Sequence, residues 1–404
     1  LEKDSQSTRL LKYNYCLILI RRKNMKAKRV IALGLATIMA LSLTACGGKS
    51  STGSGNTKES SETTTTESTD TTTESSDASA TESTDTSSKG SSDFFVAMIT
   101  DTGGIKDQSF NQSAWEGLEK LGNETGIEVK YIESKQASDF VTNLNNLGDN
   151  GANLLWGIGY ACADAILEAA ETNPDLSYAI VDNSYEETPA NVTGVMFRAQ
   201  EPSFMVGYIA GRTTTTNKVG FVGGIQSGLL DQFQYGYEAG VQYAAKELGK
   251  EIEVSVQYAE SFSDAAKGKA IAAKMYTDGC DVVYHAAGGT GTGVIEAAQE
   301  ADKWVIGVDR DQAYLAPENV LTSALKLVGK AVYNVSKEAI DGKEIGGKTY
   351  TFGLSEECVG IPEKNPNLAA DVYTDTMTLA NKIRAGEITP PESKEAFDTF
   401  VSGL

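Results

Sequence analysis

The chain has 404 residues, 40% hydrophobic and 22% charged, with 55 acidic against 35 basic side chains. That length accommodates two globular domains and excludes a small disulfide scaffold. A surface so acidic repels phosphate backbones and anionic headgroups, and the single histidine, His285, weighs against a histidine-rich zinc site or a Ser-His-Asp hydrolase.

The charge is unevenly spread. Residues 1–45 carry nine basic and two acidic side chains, residues 46–92 three and eight, and residues 93–404 23 and 45, so the last segment is near −22. Met25 is followed by Lys26, Lys28 and Arg29, an apolar stretch from Val30 to Leu43, and then Leu43-Thr44-Ala45-Cys46 with two glycines. The apolar stretch is short for a membrane span, and a small residue precedes a cleavage point, which predicts a secretory signal over 25–45. The tetrad resembles the bacterial lipobox, which implies a lipidated Cys46 at the new N-terminus. Residues 1–24 precede the methionine that suits such a signal and are expected to be upstream sequence translated in error. From Ser50 to Ser92, 27 of 43 residues are Ser or Thr with no large apolar side chain, which predicts a disordered tether over 46–92. A tether of that length suits a bacterium with a thick wall outside its membrane.

From Asp93 the pattern changes to apolar strand-like runs alternating with helical stretches. Strands are predicted at 95–100, 129–133, 154–158, 178–181, 219–222, 254–258, 282–284 and 305–308, an alternation that indicates parallel sheets covered by helices. The pattern also repeats. Gly151-Ala152-Asn153, then Ile166-Leu167-Glu168-Ala169-Ala170, then Ile180-Val181-Asp182 recur 128 residues later as Gly279-Cys280-Asp281 and Val294-Ile295-Glu296-Ala297-Ala298, with Val308-Asp309 one residue early. Gly103-Gly104-Ile105 likewise has its counterpart in Gly223-Gly224-Ile225. The repeat predicts two similar lobes, the first starting near Asp93 and the second near Asn217. Ligands of such lobes bind beyond the carboxyl ends of the strands, where Asp101, Asp182 and Asp309 each follow an apolar run. Any one of these is equally a helix cap or a turn aspartate; the matched positions of Asp182 and Asp309 favour a cleft.

Catalytic patterns are not met. Gly288-Gly289-Thr290-Gly291-Thr292-Gly293 opens a helix with amides suited to an oxygen-rich group, but it fits neither GxGxxG nor a Walker loop. Ile225-Gln226-Ser227-Gly228 lacks the first glycine of a nucleophile elbow. The pairs Glu186-Glu187 and Glu356-Glu357 read as solvated charge. Cys162, Cys280 and Cys358 form no CxxC or Cys/His cluster and are expected as small buried hydrophobes, as Trp115 and Trp156 are expected in packing. With four arginines in residues 93–404, a site dedicated to phosphorylated ligands is disfavoured. Aspartates, amides, aromatics and a lysine suit a neutral hydroxyl-bearing ligand with a flat apolar part. No enzyme activity, cofactor or metal is expected.

The segment Asp101-Thr102-Gly103-Gly104-Ile105-Lys106-Asp107-Gln108-Ser109-Phe110-Asn111-Gln112 resembles the opening motif of the basic membrane protein family, lipid-anchored substrate-binding proteins of ABC transporters similar to purine-nucleoside receptor lipoproteins. Ser261-Phe262-Ser263-Asp264-Ala265-Ala266-Lys267-Gly268, Gly307-Val308-Asp309-Arg310-Asp311-Gln312 and Val320-Leu321-Thr322-Ser323-Ala324-Leu325-Lys326 carry the same resemblance. It implies an α/β, type I periplasmic-binding-protein-like fold, each lobe a doubly wound parallel sheet, joined by a three-crossing hinge. Residues 93–212 plus 310–341 would form lobe 1, and residues 213–309 plus 342–404 lobe 2. It further implies an aromatic sandwich of Phe110 and Phe262 around a base, Asp182 on the base edge with Asn111 in support, and ribose hydroxyls on Asp101, Asp309, Lys326 and an amide near Gly288. The implied partners are a nucleoside, an ABC permease with its ATPase, and the outer face of the cell membrane through Cys46, with no nucleic acid and a monomeric state. Leu327-Val328-Gly329 departs from the family pattern just after the lysine. The alternative kept open is a binding lipoprotein for a sugar or other small polar ligand, in uptake or signalling.

Overall fold

The computed structural model describes residues 93–404; the segments 1–24, 25–45 and 46–92, with Cys46, lie outside the described residues. The first strand, β1 (Phe95–Ile99), is buried along its whole length, with Val96 and Met98 packed on one side and Phe95, Ala97 and Ile99 on the other. An apolar run whose side chains alternate between two covered faces belongs inside a parallel sheet. β1 pairs in parallel with β2 (Glu128–Ile132) and β3 (Leu154–Ile158), and the sheet continues through β4 (Ser177–Val181) and β5 (Val192–Phe197) to β11 (Lys348–Phe352). The helices α1 (Phe110–Thr125), α2 (Phe140–Asp149) and α3 (Ala163–Thr172) connect the first four strands.

The second sheet repeats the order. β7 (Glu253–Tyr258), β6 (Lys218–Gly223), β8 (Val282–Ala286), β9 (Trp304–Asp309) and β10 (Val320–Lys326) lie side by side in parallel, and the short β12 (Val359–Gly360) adds antiparallel to β10. Its connecting helices are α5 (Gly228–Leu248), α6 (Ala265–Thr277) and α7 (Thr290–Ala301). The 2-1-3-4-5 order in both sheets is that of doubly wound folds whose ligands sit at the carboxyl edge, where the strand order reverses. The internal echo extends to the backbone: Asp182, just past β4, and Asp309, ending β9, both adopt φ 64°. Aspartate is among the few residues that accept this left-handed conformation at modest cost.

The chain passes between sheets three times: from β5 through α4 (Gln200–Thr213) to β6, from β10 into α8 (Val328–Ile340), and from β11 to β12. These passages put the lobe boundaries elsewhere than the sequence suggests. β10, expected in lobe 1 as part of 310–341, is hydrogen-bonded to β9 in the second sheet, and only α8 returns to pack on α1 of the first. β11, expected in lobe 2, pairs with β5 in the first sheet. A parallel strand's partner is chosen by long-range pairing that its own residues do not encode, so the local pattern of 348–352 was silent on its sheet. Val192–Phe197, Val320–Lys326 and Val359–Gly360 are strands beyond those expected from the sequence pattern.

α1 and α8 approach through glycines. A Cβ on Gly329 would lie 2.2 Å from the carbonyl oxygen of Ser113, and one on Gly117 would lie 2.2 Å from that of Gly329. The departure at Leu327-Val328-Gly329 is thus where one helix begins and meets its partner backbone to backbone. Gly329→Val is expected to force α1 and α8 apart and lower stability by roughly 1–3 kcal/mol; an unchanged urea midpoint would show that this contact carries no packing constraint.

Candidate ligand-binding site

The carboxyl ends of the two sheets face each other across one cavity with about 580 Å³ of empty space. The loop after β1 supplies Asp101, Gly103 and Asp107, and the start of α1 supplies Phe110 and Asn111. Asp182 enters from the end of β4, Phe262 from the loop after β7, Gly288 from the turn into α7, Asp309 from the end of β9 and Lys326 from the end of β10. All eight side chains and glycines singled out from the sequence therefore line the same cavity. Gly159, Tyr160, Leu229, Leu230, Phe233, Ala286 and Val308 complete it with Gly103 and Asp107.

Tyr160 was legible by the rule used for the aspartates, since it follows β3 directly after Gly159, whose φ of 108° turns the chain. Asp107 lay inside the quoted motif. Its carboxylate accepts from the backbone amides of Ser109 at 2.9 Å, Asn111 at 2.8 Å and Gln112 at 3.1 Å, which fixes the start of α1. Phe233, on the second turn of α5, had no local signal.

At the floor, Lys326 and Asp182 form a buried ion pair that joins the two sheets, each residue nearly inaccessible. The ammonium also lies 4.8 Å from the ring centroid of Phe110, 5.2 Å from that of Phe197 and 5.6 Å from that of Phe233. The ring faces offset part of the cost of dehydrating the charge. Asn111 donates through Nδ2 to Asp101 at 2.8 Å and to Asp107 at 3.1 Å, leaving its Oδ1 and the Oδ1 of Asp182 buried and without a donor. Phe262 rests on Gly224, where a Cβ would come within 2.1 Å of the ring.

Four carboxylates thus share the cavity with one ammonium. Burial pushes Asp101 up to about 6 although Asn111 and the amide of Gly103 donate to it, and burial pushes Asp309 up to about 6 against the opposing pull of Lys326. Burial also raises Asp107, opposed by its three backbone donors. Buried acceptors with too few donors are a site for hydroxyl and N–H groups of a neutral molecule.

Other expectations concern structure. Trp156 is wholly buried and donates to Ser336 Oγ at 2.9 Å, while Trp115 packs edge-on against Tyr131 at 4.8 Å. Cys162, Cys280 and Cys358 are free and buried, and among the described residues no group of His, Cys, Asp and Glu is arranged for a metal. Glu186 and Glu187 are exposed, as a solvated pair would be. Glu356 and Glu357 are exposed as well, but the Glu356 carboxylate also takes the guanidinium of Arg198 and the amide of Gly353 at 2.7 Å, so it ties the β11–β12 crossing to the start of α4.

Two doubly wound lobes, three interlobe crossings and a polar cleft with aromatic walls define a solute-binding protein of the periplasmic-binding-protein type. Residues 94–394 match the family described as ABC transporter substrate-binding protein PnrA-like, and the chain belongs to that family. It is therefore a substrate-binding protein of an ABC transporter, not an enzyme. It is 42% identical over 311 residues to basic membrane protein A of Borreliella burgdorferi, covering 76% of this chain and 90% of that one. It is 41% identical over 321 residues to the ABC transporter nucleoside-binding protein BmpA of Lactococcus lactis, covering 74% and 90%. Among solved structures, an ABC transporter solute-binding protein of Aeropyrum pernix superposes with a TM-score of 0.69 at 26% identity, over 76% of this chain and 96% of that one. Proteins of this kind work outside the cytoplasm, and among the described residues no helix is long and apolar enough to cross a membrane.

The raised carboxyls set a stability test. A carboxyl whose pKa is raised on folding favours the protonated form, so stability is lost as pH rises from about 4 through 6 and stays lost above it. Asp309→Asn keeps the shape and tolerates the left-handed backbone. It is expected to stabilise the unliganded protein at pH 7.5 by on the order of 1–3 kcal/mol, a few degrees in melting temperature, and far less at pH 4.5. A melting temperature that falls at pH 7.5 would contradict the assignment of Asp309 as a buried charge that Lys326 and Ser109 compensate only in part.

Proposed function

We propose that the protein captures nucleosides, most readily purine nucleosides, between its lobes and delivers them to an ABC permease. The observation that carries this reading is the pairing, in one cavity, of aromatic rings with buried acceptors that lack donors, above all Oδ1 of Asp182. A flat base enters between Phe110 and Phe262, where stacking contributes roughly 1–3 kcal/mol. Oδ1 of Asp182 accepts a ring N–H of the base while its other oxygen stays with Lys326. Asp101, Asp309 and an amide near Gly288 hold the ribose hydroxyls, and the donors Lys326 does not spend on Asp182 complete them. The name of the Lactococcus lactis relative supports the ligand class.

A carboxylate facing the base edge favours inosine and guanosine over adenosine, which has no N1–H to give. The proposed lipid on Cys46 would hold the protein at the outer face of the membrane, since each buried CH₂ contributes ~0.8 kcal/mol and the acidic surface contributes no attraction. Closure would dehydrate the base, so that the loaded, closed form is the one a permease and its ATPase accept.

Calorimetric titration with inosine, guanosine, adenosine and ribose tests the ligand class. Saturable heat with a purine nucleoside and none with ribose is the expected result, and Phe262→Ala is expected to weaken binding at least about fivefold. Ribose binding as well as inosine does, or no loss in Phe262→Ala, would move the assignment to a sugar.

A further inference from the structure

Besides the ligand site, the lobes are joined by a set of contacts at the edge of the cavity, between the loop Asp107–Ser109 with helix α1 of the first lobe and the loop Asp309–Tyr314 of the second. Ser109 Oγ donates to Asp309, the Tyr314 hydroxyl donates to Oε1 of Gln108 at 2.5 Å, and Arg310 reaches Glu116 at 3.1 Å. Tyr314 is half exposed and the Arg310–Glu116 pair is partly exposed, so water competes for both. The remaining contact is of another kind. Gln312 is wholly buried, and its Nε2 donates to the backbone carbonyl of Gln108 at 3.1 Å.

The carboxamide of Gln312 is held by its own lobe before it meets the other. Its Oε1 accepts from the amide of Val308 at 2.9 Å and lies 3.0 Å from Nε2 of His285, and its backbone amide donates to Ser323 Oγ at 3.1 Å. With the oxygen placed by Val308, the orientation of the amide is decided and the NH₂ faces Gln108. His285 is then the Nε2–H donor; burial lowers its pKa to about 4, and its Nδ1 has no partner. Two glycines make room. A Cβ on Gly307 would lie 2.6 Å from Oε1 of Gln312, and one on Gly291 would lie 2.0 Å from the His285 ring. The acceptor is preset as well, since Gln108 holds φ 57°, a left-handed conformation that turns its carbonyl toward the second lobe.

We infer that Gln312 is a positioning residue that clasps the two lobes, held ready by His285 and Val308, and that it populates the closed cleft before any ligand arrives. A donor already fixed in place loses little freedom on closure, so the bond favours the closed form more than an exposed side chain would. Apparent ligand affinity scales with the fraction of protein in the competent conformation, so a residue outside the cavity sets affinity through that fraction. The effect on affinity rests on the nucleoside reading, while the effect on closure does not.

The test follows interlobe distance by energy transfer between dyes attached through unnatural amino acids at Lys135, after β2, and Ser263, after β7, both exposed. In the unliganded protein a closed population is expected. Gln312→Glu, which keeps the acceptor for Val308 and His285 but loses the donor, should deplete it, and so should Gln312→Met. Dissociation of inosine should become about fivefold faster in both variants, the equivalent of one net hydrogen bond. An unliganded wild-type protein that is wholly open would overturn the inference without needing any variant. So would folded variants with wild-type distances, or variants whose faster dissociation comes with no change in the distance distribution. If inosine does not bind at all while the distances shift as expected, the clasp stands and the ligand class fails.

Discussion

The cavity is organised around an imbalance: Asp101, Asp107, Asp182 and Asp309 converge where Lys326 is the one ammonium among the lining residues. Lys326 is committed to Asp182 and surrounded by the rings of Phe110, Phe197 and Phe233, so it does not cancel the other three charges. Asp107 is satisfied by the amides at the start of α1, and Asp101 and Asp309 are left with burial raising their pKa values. An empty cleft with that distribution is a strained one, and a molecule that brings hydroxyl and N–H donors relieves it. The same distribution rejects anions, which is why the acidic composition and the neutral, hydroxyl-bearing ligand belong to one argument.

The fold exists to bring those groups together from distant parts of the chain. Duplicated doubly wound lobes put the ends of β1, β4, β9 and β10 at one place, and the left-handed turns at Asp182 and Asp309 aim two carboxylates from matched positions. The hinge carries its own polar cluster, in which Arg198 pairs with Glu201 at 2.9 Å and with Glu356, while Glu201 accepts from the amide of Leu354 at 2.6 Å. That cluster ties the first and third crossings together, so the lobes turn about a braced strip, while the clasp at Gln312 joins them without itself lining the cavity.

Much of this was legible from residues alone, for local reasons. The buried strands are continuous apolar runs such as Phe95–Ile99, the internal echo marks Asp182 and Asp309 as equivalents, and the position after each strand marks Asp101. What stayed hidden depends on pairing across the fold. The sheet that Val320–Lys326 joins is set by β9 and the sheet that Lys348–Phe352 joins by β5, neither written in those segments. The sequence separates Lys326 from Asp182 by more than a hundred residues and suggests different parts of the ligand for them, whereas folding makes them partners. Glu356 is solvent-facing charge, as its sequence suggests, but its pairing with Arg198 is hidden because the arginine lies far upstream. His285, a residue that composition makes conspicuous, serves a buried glutamine rather than chemistry.

The central claim, that ligand donors relieve buried, incompletely compensated carboxylates, has a direct measurement in the protons exchanged on binding. Guanosine titrated at pH 6 in two buffers of different ionisation enthalpy reports that number without any substitution. Because burial raises Asp101 and Asp309 to about 6 and the ionised carboxylate accepts hydroxyl hydrogens more strongly than the protonated acid, binding is predicted to release protons, and to strengthen as pH rises from 5 to 7. Binding with no exchange of protons, or with net uptake, would contradict the account.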